Sequence, residues 1–148
     1  MIIISKLVYQ QMIGHAKKGY PNEACGILAG PLRNTSTSAI KTSADADDIV
    51  VSDFFPMTNM DNASISYFMD PKEQLLVFKK MREKNIEMAG IFHSHVASEA
   101  SPSQKDIRLA FYPEVSYLIV SLSDIKKPVL RSFKIQNEKV AEEEITIV

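Results

Sequence analysis

Apolar positions along the chain fall into short continuous runs that are separated by segments with helical spacing. The runs at residues 24–30 and 116–122 are almost wholly apolar, which is typical of strands buried on both faces. The run at 1–4 predicts the first strand. Further strands are expected at 39–42, 49–56, 65–69 and 87–95, with 129–135 and 145–148 completing the sheet and an exposed polar loop at 34–38. Strands punctuated by helices indicate one α/β or α+β domain over residues 1–148.

Three helices are expected between these strands. Ser5 can cap the first, over residues 5–18, and Asp70 begins the second, over residues 70–84, with a proline in its first turn. The third starts at Ser103 and ends before the proline at position 113. The second helix is expected to face the core through Leu75, Phe78 and Met81.

Composition and charge narrow the function classes. The 17 Lys and Arg residues nearly balance the 18 Asp and Glu residues, so the net charge is −1 and the pI is about 6.3. The chain therefore lacks the basic field with which general nucleic-acid and membrane-surface binders attract anionic partners. Its single cysteine cannot form an internal disulfide, and the apolar run at 1–4 is too short to span a bilayer. We expect a cytoplasmic protein.

A pair of histidines marks the most polar part of the chain. His93 and His95 stand two residues apart at the end of a predicted strand, so their rings point to the same side. Such a pair is often only a surface feature. Here Asp106 follows in the first turn of the predicted third helix and can direct its carboxylate towards the histidines. Two imidazoles and one carboxylate leave the fourth tetrahedral position of a zinc ion to water, which is the arrangement of a catalytic site rather than a structural one.

Glu23 is the candidate proton carrier. Hydrolysis at a zinc site needs a group that accepts a proton and passes it to the leaving group, and a carboxylate is suited to this. Glu23 stands where a Tyr-Pro-Asn turn enters the apolar run at 24–30, a place with no packing need for a carboxylate. The alternative is a solvated charge at the end of a strand.

Ser103 has two interpretations. The sequence Ser-x-x-Asp resembles a capping box, in which the serine hydroxyl accepts a hydrogen bond from the backbone N–H of Asp106. Alternatively, the hydroxyl donates a hydrogen bond to the oxyanion that forms during attack on a carbonyl. Both roles can hold at different stages, and the sequence leaves both open.

Together these residues resemble the JAMM (MPN+) metalloprotease signature. Glu23 is followed by His93-Ser94-His95, seven residues, Ser103, two residues and Asp106, which is similar to the family pattern Glu…His-x-His-x(7)-Ser-x(2)-Asp. The segment 20–26 and the Asp-Pro pair at 70–71 also look like the short stand-alone prokaryotic members.

The resemblance implies a fold and an activity. It implies a mixed β-sheet sandwiched by helices, similar to cytidine deaminases, with one Zn²⁺ per chain held by His93, His95 and Asp106, and with Glu23 and Ser103 serving catalysis. Short bacterial members resemble the hydrolase that releases cysteine from the C-terminus of a small ubiquitin-like sulfur-carrier protein. The expected partner is therefore such a carrier with a Gly-Gly-type tail. Larger eukaryotic relatives cleave ubiquitin isopeptide bonds and carry insertions for which this chain has little room.

Val96 is a departure from the family pattern, since many bacterial members have proline after the second histidine. This difference concerns the conformation of the loop over the metal and leaves the expected ligand set intact. We expect the substrate tail to lie as an added strand between the segments 56–69 and 96–102.

Other candidate chemistries fit less well. Cys25 lies within a buried apolar run, where a thiol is inert, so core packing is expected. His15 precedes two lysines and is expected at the surface. A cupin-type centre with Glu99 would need a histidine after His95, and a metallo-β-lactamase centre would need Asp-His after the histidine pair; the sequence has neither. The remaining rival is a metal-free MPN scaffold that only binds partners, but such scaffolds usually lose ligands, whereas this chain keeps all of them.

Overall fold

The computed structural model describes residues 1–33 and 48–148. These residues contain the helices α1 (Lys6–Gly19), α2 (Pro71–Lys84) and α3 (Gln104–Arg108). They also contain the strands β1 (Ile2–Ile4), β2 (Cys25–Pro31), β3 (Ile49–Val51), β4 (Asp53–Met57), β5 (Ile86–His95), β6 (Ser116–Ser121), β7 (Val129–Gln136), β8 (Lys139–Glu143) and β9 (Ile145–Ile147). None of the helices among them is long and apolar enough to cross a membrane. The predicted loop at 34–38 and strand at 39–42 lie outside the described residues.

A six-stranded mixed sheet forms the centre of the fold, in the order β4-β2-β5-β6-β7-β8. β5 and β6 are parallel neighbours, and the other neighbouring pairs of this sheet are antiparallel. α1 packs in one core cluster through Val8, Met12 and Ala16, whereas α2 packs in another through Val77 and Met81. β6 is buried along its whole length, because one of its faces lies in the cluster of α1 and the other lies in a third cluster that includes Ile107 of α3. The predicted mixed sheet sandwiched by helices is confirmed.

β1 lies in a second, parallel sheet with the order β3-β1-β9, and its Ile2 and Ile4 side chains point into the core. The prediction that residues 145–148 complete the main sheet is therefore wrong. The strand predicted over 49–56 is in fact two strands, because β3 pairs with β1 and β4 pairs with β2. Gly30 allows the two sheets to approach here, since a Cβ atom at this position would overlap the carbonyl oxygen of Val50.

The inward face of α2 matches the prediction only in part. Met81 is buried and Phe78 packs against the same cluster, as expected. Leu75, however, is 69% exposed, because the buried stripe of the helix runs through Val77 and Met81, which are one turn apart.

The strand predicted at 65–69 does not form. Its residues make a single isolated bridge, between Asn59 and Met69. The physical reason lies in the Asn59 side chain, which bonds Ser66 O and Phe68 N and so occupies the backbone groups that a partner strand would use.

β8 is an edge strand that was not predicted, because its residues are mostly exposed and charged and show no apolar alternation. It is joined to β7 by a two-residue turn, in which Asn137 and Glu138 have φ angles of 51° and 62°. Positive φ at both positions is typical of a type I′ hairpin, for which Asn is a preferred residue. This asparagine is the signal from which the hairpin could have been found.

Candidate metal centre and catalytic cleft

The two histidines lie at the C-terminal end of β5, in the middle of the large sheet. The strand register places His93 between Cys25 of β2 and Ile119 of β6. Side chains of a strand alternate between faces, so the imidazoles of His93 and His95 share one side, and only 1% and 5% of their surfaces are exposed. The central sheet, rather than a loop, therefore sets the positions of both rings.

Asp106 reaches the histidines from the first turn of α3. Ser103 is the N-cap of this helix, and its Oγ accepts a hydrogen bond from Asp106 N at 3.1 Å. In return, Asp106 Oδ2 accepts from Ser103 N at 2.8 Å, which completes the predicted capping box. The helix ends at Arg108, which is earlier than predicted, so α3 consists of little more than the turn that holds Asp106.

Three ligand atoms converge on one point. His93 Nε2 and His95 Nε2 are 3.1 Å apart, and each lies 3.2 Å from Asp106 Oδ2. A tetrahedral zinc ion with bonds of about 2.0–2.1 Å separates its ligand atoms by about 3.3 Å. The triangle of the three atoms therefore has the size of one face of such a tetrahedron, and its nitrogen and oxygen donors suit zinc.

Hydrogen bonds around the triangle set the protonation states of the ligands. His95 Nδ1 is 2.7 Å from Glu99 O; since a carbonyl only accepts, Nδ1 carries a proton and Nε2 faces the triangle. Burial lowers the pKa of His93 despite the opposing Asp106 carboxylate. Burial also lowers the pKa of His95, but the bonds with Asp106 and Glu99 outweigh it and raise this pKa, so a proton competes with a metal for His95 Nε2.

The Asp106 carboxyl is ionised at neutral pH. Burial favours its neutral form, but this effect is outweighed by hydrogen bonds from His93 and His95 and by the backbone N–H of Ser103. Together these groups hold the pKa of Asp106 well below its usual range. The triangle thus contains the anionic oxygen that a divalent cation prefers.

Glu23 lies at the entrance of β2 and lines a cleft of about 370 Å³ together with His95 and Ser103. Its side chain is only 7% exposed, which excludes the alternative of a solvated strand-end charge. Burial raises the pKa of the Glu23 carboxyl from 4.5 to about 7, and the charges of His95 and Lys105 oppose this effect. A carboxyl group with this pKa exchanges protons readily at neutral pH, as general acid–base catalysis requires.

Ser103 stands in the same cleft with its hydroxyl engaged as an acceptor from Asp106 N. A hydroxyl has one donor and two acceptor positions, so this bond leaves its own hydrogen available to a ligand in the cleft. The structure thus shows that Ser103 caps α3, and the capping bond leaves its hydroxyl hydrogen free for the oxyanion interpretation.

The cleft has two walls. One belongs to the connection between β4 and α2, and the other to the loop that follows the second histidine. The remaining lining residues are Ser64 and Ile65 on the first wall and Val96, Ala97 and Ser98 on the second. Both walls come from the segments 56–69 and 96–102, between which the substrate tail is expected to lie.

The loop that carries Val96 is tied to the sheet by side-chain hydrogen bonds. Ser121 Oγ donates to Ser98 O at 2.6 Å, and Arg131 Nη1 donates to Ser101 Oγ at 3.0 Å. These contacts hold the loop over the cleft without the proline that is usual after the second histidine.

The other candidate residues lie outside the cleft. Cys25 is fully buried in the core beneath α2, and burial raises the pKa of its thiol to about 12, so the predicted core packing is confirmed. His15 is half-buried rather than free at the surface. Its Nε2 lies 2.9 Å from Cys25 O, and its ring meets Phe54 edge-on, because α1 packs against the sheet at this point.

Two contributors to the site left no signal in the sequence. Tyr67 stacks on the His93 ring, with 4.7 Å between the ring centroids and 25° between the planes. The Asn59 side chain donates a hydrogen bond to Glu23 O at 3.0 Å. Both residues belong to the connection between β4 and α2, whose polar composition does not distinguish them from ordinary loop residues.

Solved structures share this fold and define its class. A JAB1/MPN domain protein from Archaeoglobus fulgidus superimposes with a TM-score of 0.57 at 18% identity, over 98% of this chain and 97% of that chain. A protein from Desulfitobacterium hafniense, known from a solution structure, has a TM-score of 0.84 and 42% identity over 100% of this chain and 93% of that one. The fold is that of a JAB1/MPN domain, the class in which the histidine and aspartate signature was expected.

Sequence relatives point to one family within this class. The CysO-cysteine peptidase of Mycobacterium tuberculosis is 34% identical over 148 residues, which is 100% of this chain and 92% of that protein. The desampylase of Haloferax volcanii is 29% identical over 115 residues, or 74% of this chain and 73% of that protein. The family model of the prokaryotic homologs of the JAB domain matches residues 5–136, and the chain belongs to this family.

Proposed function

We propose that this protein is a zinc-dependent hydrolase that cleaves the amide or isopeptide bond at the C-terminal tail of a small ubiquitin-like sulfur-carrier protein, for example releasing cysteine. One observation carries the proposal: three ligand atoms lie within 3.2 Å of one another beside a cleft lined by a buried carboxyl group and a serine hydroxyl. Metal ligands, a proton carrier and a hydrogen-bond donor are the parts that amide hydrolysis requires.

The metal would be one zinc ion per chain, held by His93 Nε2, His95 Nε2 and Asp106 Oδ2. When bound, zinc supplies a Lewis acid that lowers the pKa of water to about 7 and polarises a carbonyl group. The chain orients its ligands through Glu99 O, which accepts from His95 Nδ1, and through Ser103 N, which donates to Asp106.

Glu23 carries the proton. Its carboxylate accepts a proton from the attacking water and donates it to the nitrogen of the leaving amine. A pKa of about 7 supports both transfers at neutral pH, because neither protonation state is strongly disfavoured. The burial of this side chain limits exchange of the proton with bulk water.

Ser103 stabilises the tetrahedral intermediate. Its hydroxyl hydrogen, which is not used by the bond from Asp106 N, donates to the oxyanion that forms on the scissile carbonyl. The capping bond supports this role, because it fixes the position of Ser103 Oγ at the start of α3.

The substrate class is supported by the relatives and by the shape of the cleft. Two relatives bear the names CysO-cysteine peptidase and desampylase, and the resemblance to the short prokaryotic members implies a sulfur-carrier substrate. The cleft lies between residues 64–65 and 96–98, which suits a slim chain in extended conformation. Pairing of an added strand reads the backbone of the tail, so a Gly-Gly-type sequence fits.

Cleavage of a defined carrier tests the proposal. The substrate is a ubiquitin-like carrier whose terminal glycine is joined to cysteine, compared with the same carrier joined to the side chain of a lysine. We expect cleavage by the zinc-loaded protein and none by the metal-free protein. Glu23→Gln should retain zinc but lower kcat by about 10²–10⁴-fold, whereas His15→Ala, at the third histidine of the chain, serves as the active control.

The alternative is a catalytically silent MPN scaffold that only binds partners. Retention of all three ligand residues and of Glu23 favours the hydrolase. Full zinc occupancy with no cleavage of either carrier would favour the scaffold and overturn the proposed activity on this substrate class.

A further inference from the structure

The side-chain amide of Asn59 makes four hydrogen bonds beside the cleft. Its Nδ2 donates to Glu23 O and to Ser66 O, and its Oδ1 accepts from Asp61 N and Phe68 N, all at 3.0 Å. An amide side chain offers two donors and one oxygen with two acceptor positions, so the capacity of Asn59 is fully used. The segment around it has one isolated β-bridge and no regular strand or helix, so the four bonds of the amide are a large part of its local structure.

Two of these bonds bracket Tyr67. Ser66 O and Phe68 N belong to the peptide groups immediately before and after this tyrosine, so Asn59 holds the backbone on both of its sides. The Tyr67 ring in turn stacks on His93. Among the described residues no group bonds the buried Nδ1 of His93, whereas the corresponding nitrogen of His95 bonds a carbonyl. Apart from the contacts of its Nε2 within the triangle, the orientation of the His93 ring therefore depends on packing, to which Tyr67 contributes through the stacked ring.

The other donor bond of Asn59 reaches the main chain of Glu23. Glu23 N also donates to Ala63 O at 2.8 Å, within the same segment. On the opposite side, Ala24 N donates to Ser94 Oγ at 2.8 Å, and Ser94 N donates to Ala24 O at 3.0 Å. The main chain at Glu23 is thus clamped between the strand that carries both histidines and the segment that Asn59 organises.

We propose that Asn59 is a positioning residue. Its side-chain amide fixes the Glu23 carboxyl and the His93 ring relative to each other. The role in catalysis rests on the proposed function, whereas the structural link from Asn59 to His93 does not. Loss of the amide should displace Glu23 from the proton path and loosen the stacking on His93. It should not remove any ligand atom or any wall of the cleft.

The first test uses the metal-free protein and NMR of its three histidine rings. The variant Tyr67→Leu gives the reference chemical shifts that the His93 ring has when no aromatic ring stacks on it. Asn59→Ala should move the His93 ring protons most of the way towards those values. Gln74→Ala is the matched control, because it removes an amide that donates to Met69 O in the same segment, and it should leave the shifts unchanged. Unchanged His93 shifts in folded Asn59→Ala protein would overturn the link.

The second test separates positioning from a loss of stability. In the zinc-loaded protein, Asn59→Ala and Asn59→Asp should lower kcat about 10²-fold with KM changed less than about 3-fold, since a displacement of about 1 Å can cost this much. Asn59→Asp keeps the acceptor bonds but replaces the donor to Glu23 O and Ser66 O with a carboxylate oxygen, which these two carbonyl oxygens repel. Both variants should bind one zinc ion per chain.

A double variant decides whether Asn59 acts through Glu23. In the zinc-loaded protein the bonds to the metal would hold the His93 ring, so Glu23 is the group whose position still depends on Asn59; adding Asn59→Ala to Glu23→Gln should therefore lower kcat no further than Glu23→Gln alone. A second, multiplicative loss would mean a general structural role and would overturn the proposal. If the wild-type protein cleaves no carrier, the proposed function fails, and the NMR experiment still decides the link between Asn59 and His93.

Discussion

At the residue scale, Asp106 belongs both to the capping box of α3 and to the ligand triangle. The same Oδ2 atom accepts from Ser103 N and lies 3.2 Å from the Nε2 atoms of His93 and His95. A helix of five residues is too short to be stable by itself, so its first turn depends on these contacts. Formation of α3 and assembly of the ligand set are therefore one event.

Loss of any ligand should abolish tight zinc binding, because two protein ligands seldom hold zinc against a chelator. We expect His93→Ala, His95→Ala and Asp106→Asn to emerge from dialysis with chelator without zinc, while His15→Ala retains one ion per chain. Asp106→Asn keeps an acceptor for Ser103 N–H, so it tests the ligand without removing the cap. Metal analysis that finds full zinc in Asp106→Asn would remove this residue from the ligand set.

Ser103 and Ser5 form a matched pair, because both are N-cap serines whose Oγ accepts from the helix. Ser5→Ala and Ser103→Ala should each cost about 1 kcal/mol in the free energy of unfolding, measured with urea. Only Ser103→Ala should also lower kcat, by about 10²-fold, as expected for a lost oxyanion donor. An unchanged kcat in Ser103→Ala would leave this serine with the capping role alone.

The raised pKa of Glu23 predicts a pH-dependent cost to stability. The pKa is about 7 in the folded protein and 4.5 as the ordinary value, so the ionised form is disfavoured by folding. Below pH 4.5 the Glu23 carboxyl is protonated in both the folded and the unfolded protein, and the stability of the protein is fully present. Stability is then lost as the pH rises from 4.5 through 7, because the unfolded protein releases this proton more readily than the folded one. At about 1.4 kcal/mol for each unit by which the two pKa values differ, the cost is at most about 3.5 kcal/mol.

Glu23→Gln should remove this cost. Relative to wild type, the metal-free variant should gain about 2–3 kcal/mol in the free energy of unfolding between pH 5 and pH 8, because glutamine does not ionise. Urea titrations of both proteins at the two pH values measure the change. A stability difference that is the same at both would mean that Glu23 ionises without penalty in the folded protein.

At the element scale, the two sheets meet where β2 passes β3. The backbone of Val50 approaches Gly30 so closely that no side chain fits between them, and β4 then returns to pair with β2. This crossing brings the connection between β4 and α2 alongside the start of β2. The position of Tyr67 beside His93 depends on strand register, because Cys25 of β2 pairs with Met57, where the connection begins, on one side and with His93 on the other.

Gly30→Ala should therefore destabilise the protein by more than about 2 kcal/mol, because the new methyl group meets backbone that cannot give way. Gly14 is the matched control: it lies on the exposed side of α1 with no atom within 4 Å of a Cβ at its position. Gly14→Ala should stabilise the protein by about 0.5–1 kcal/mol through helix propensity. Thermal unfolding compares the two, and equal melting temperatures would contradict the close approach of the sheets.

At the scale of the whole molecule, the cleft opens between two segments that are each tied to the core. One wall includes Ile65, whose neighbour Ser66 accepts a hydrogen bond from Asn59, and Ser121 Oγ holds the opposite wall through Ser98 O. We expect the space between these walls to select the substrate.

Replacing the last glycine of the carrier tail with valine should lower kcat/KM by at least about 10²-fold, because a β-branched side chain collides with the walls and disturbs strand pairing beside the metal. Quantitative mass spectrometry of the products measures the effect. The same substitution several residues upstream, outside the cleft, should be tolerated. Equal cleavage of the carriers that have glycine and valine at the last position of the tail would contradict a narrow cleft.

The sequence by itself determined the features that depend on near neighbours. The two-residue spacing of His93 and His95 places their rings on one side of any strand, and the three-residue spacing of Ser103 and Asp106 permits a capping box in any helix. Both follow from local geometry. The caps at Ser5 and Asp70 were predictable for the same reason, since each involves a hydrogen bond within one turn.

Only the tertiary structure decided the features that join distant parts of the chain. The bond from Asn59 to Glu23 O spans 36 residues, and the bond from Ala24 to Ser94 spans 70. Periodicity and capping rules carry no information on such separations, because these contacts depend on strand order and on where the sheets cross. The same reason accounts for the separate sheet around β1 and for the burial of Glu23, since burial is a property of the packed elements around a residue.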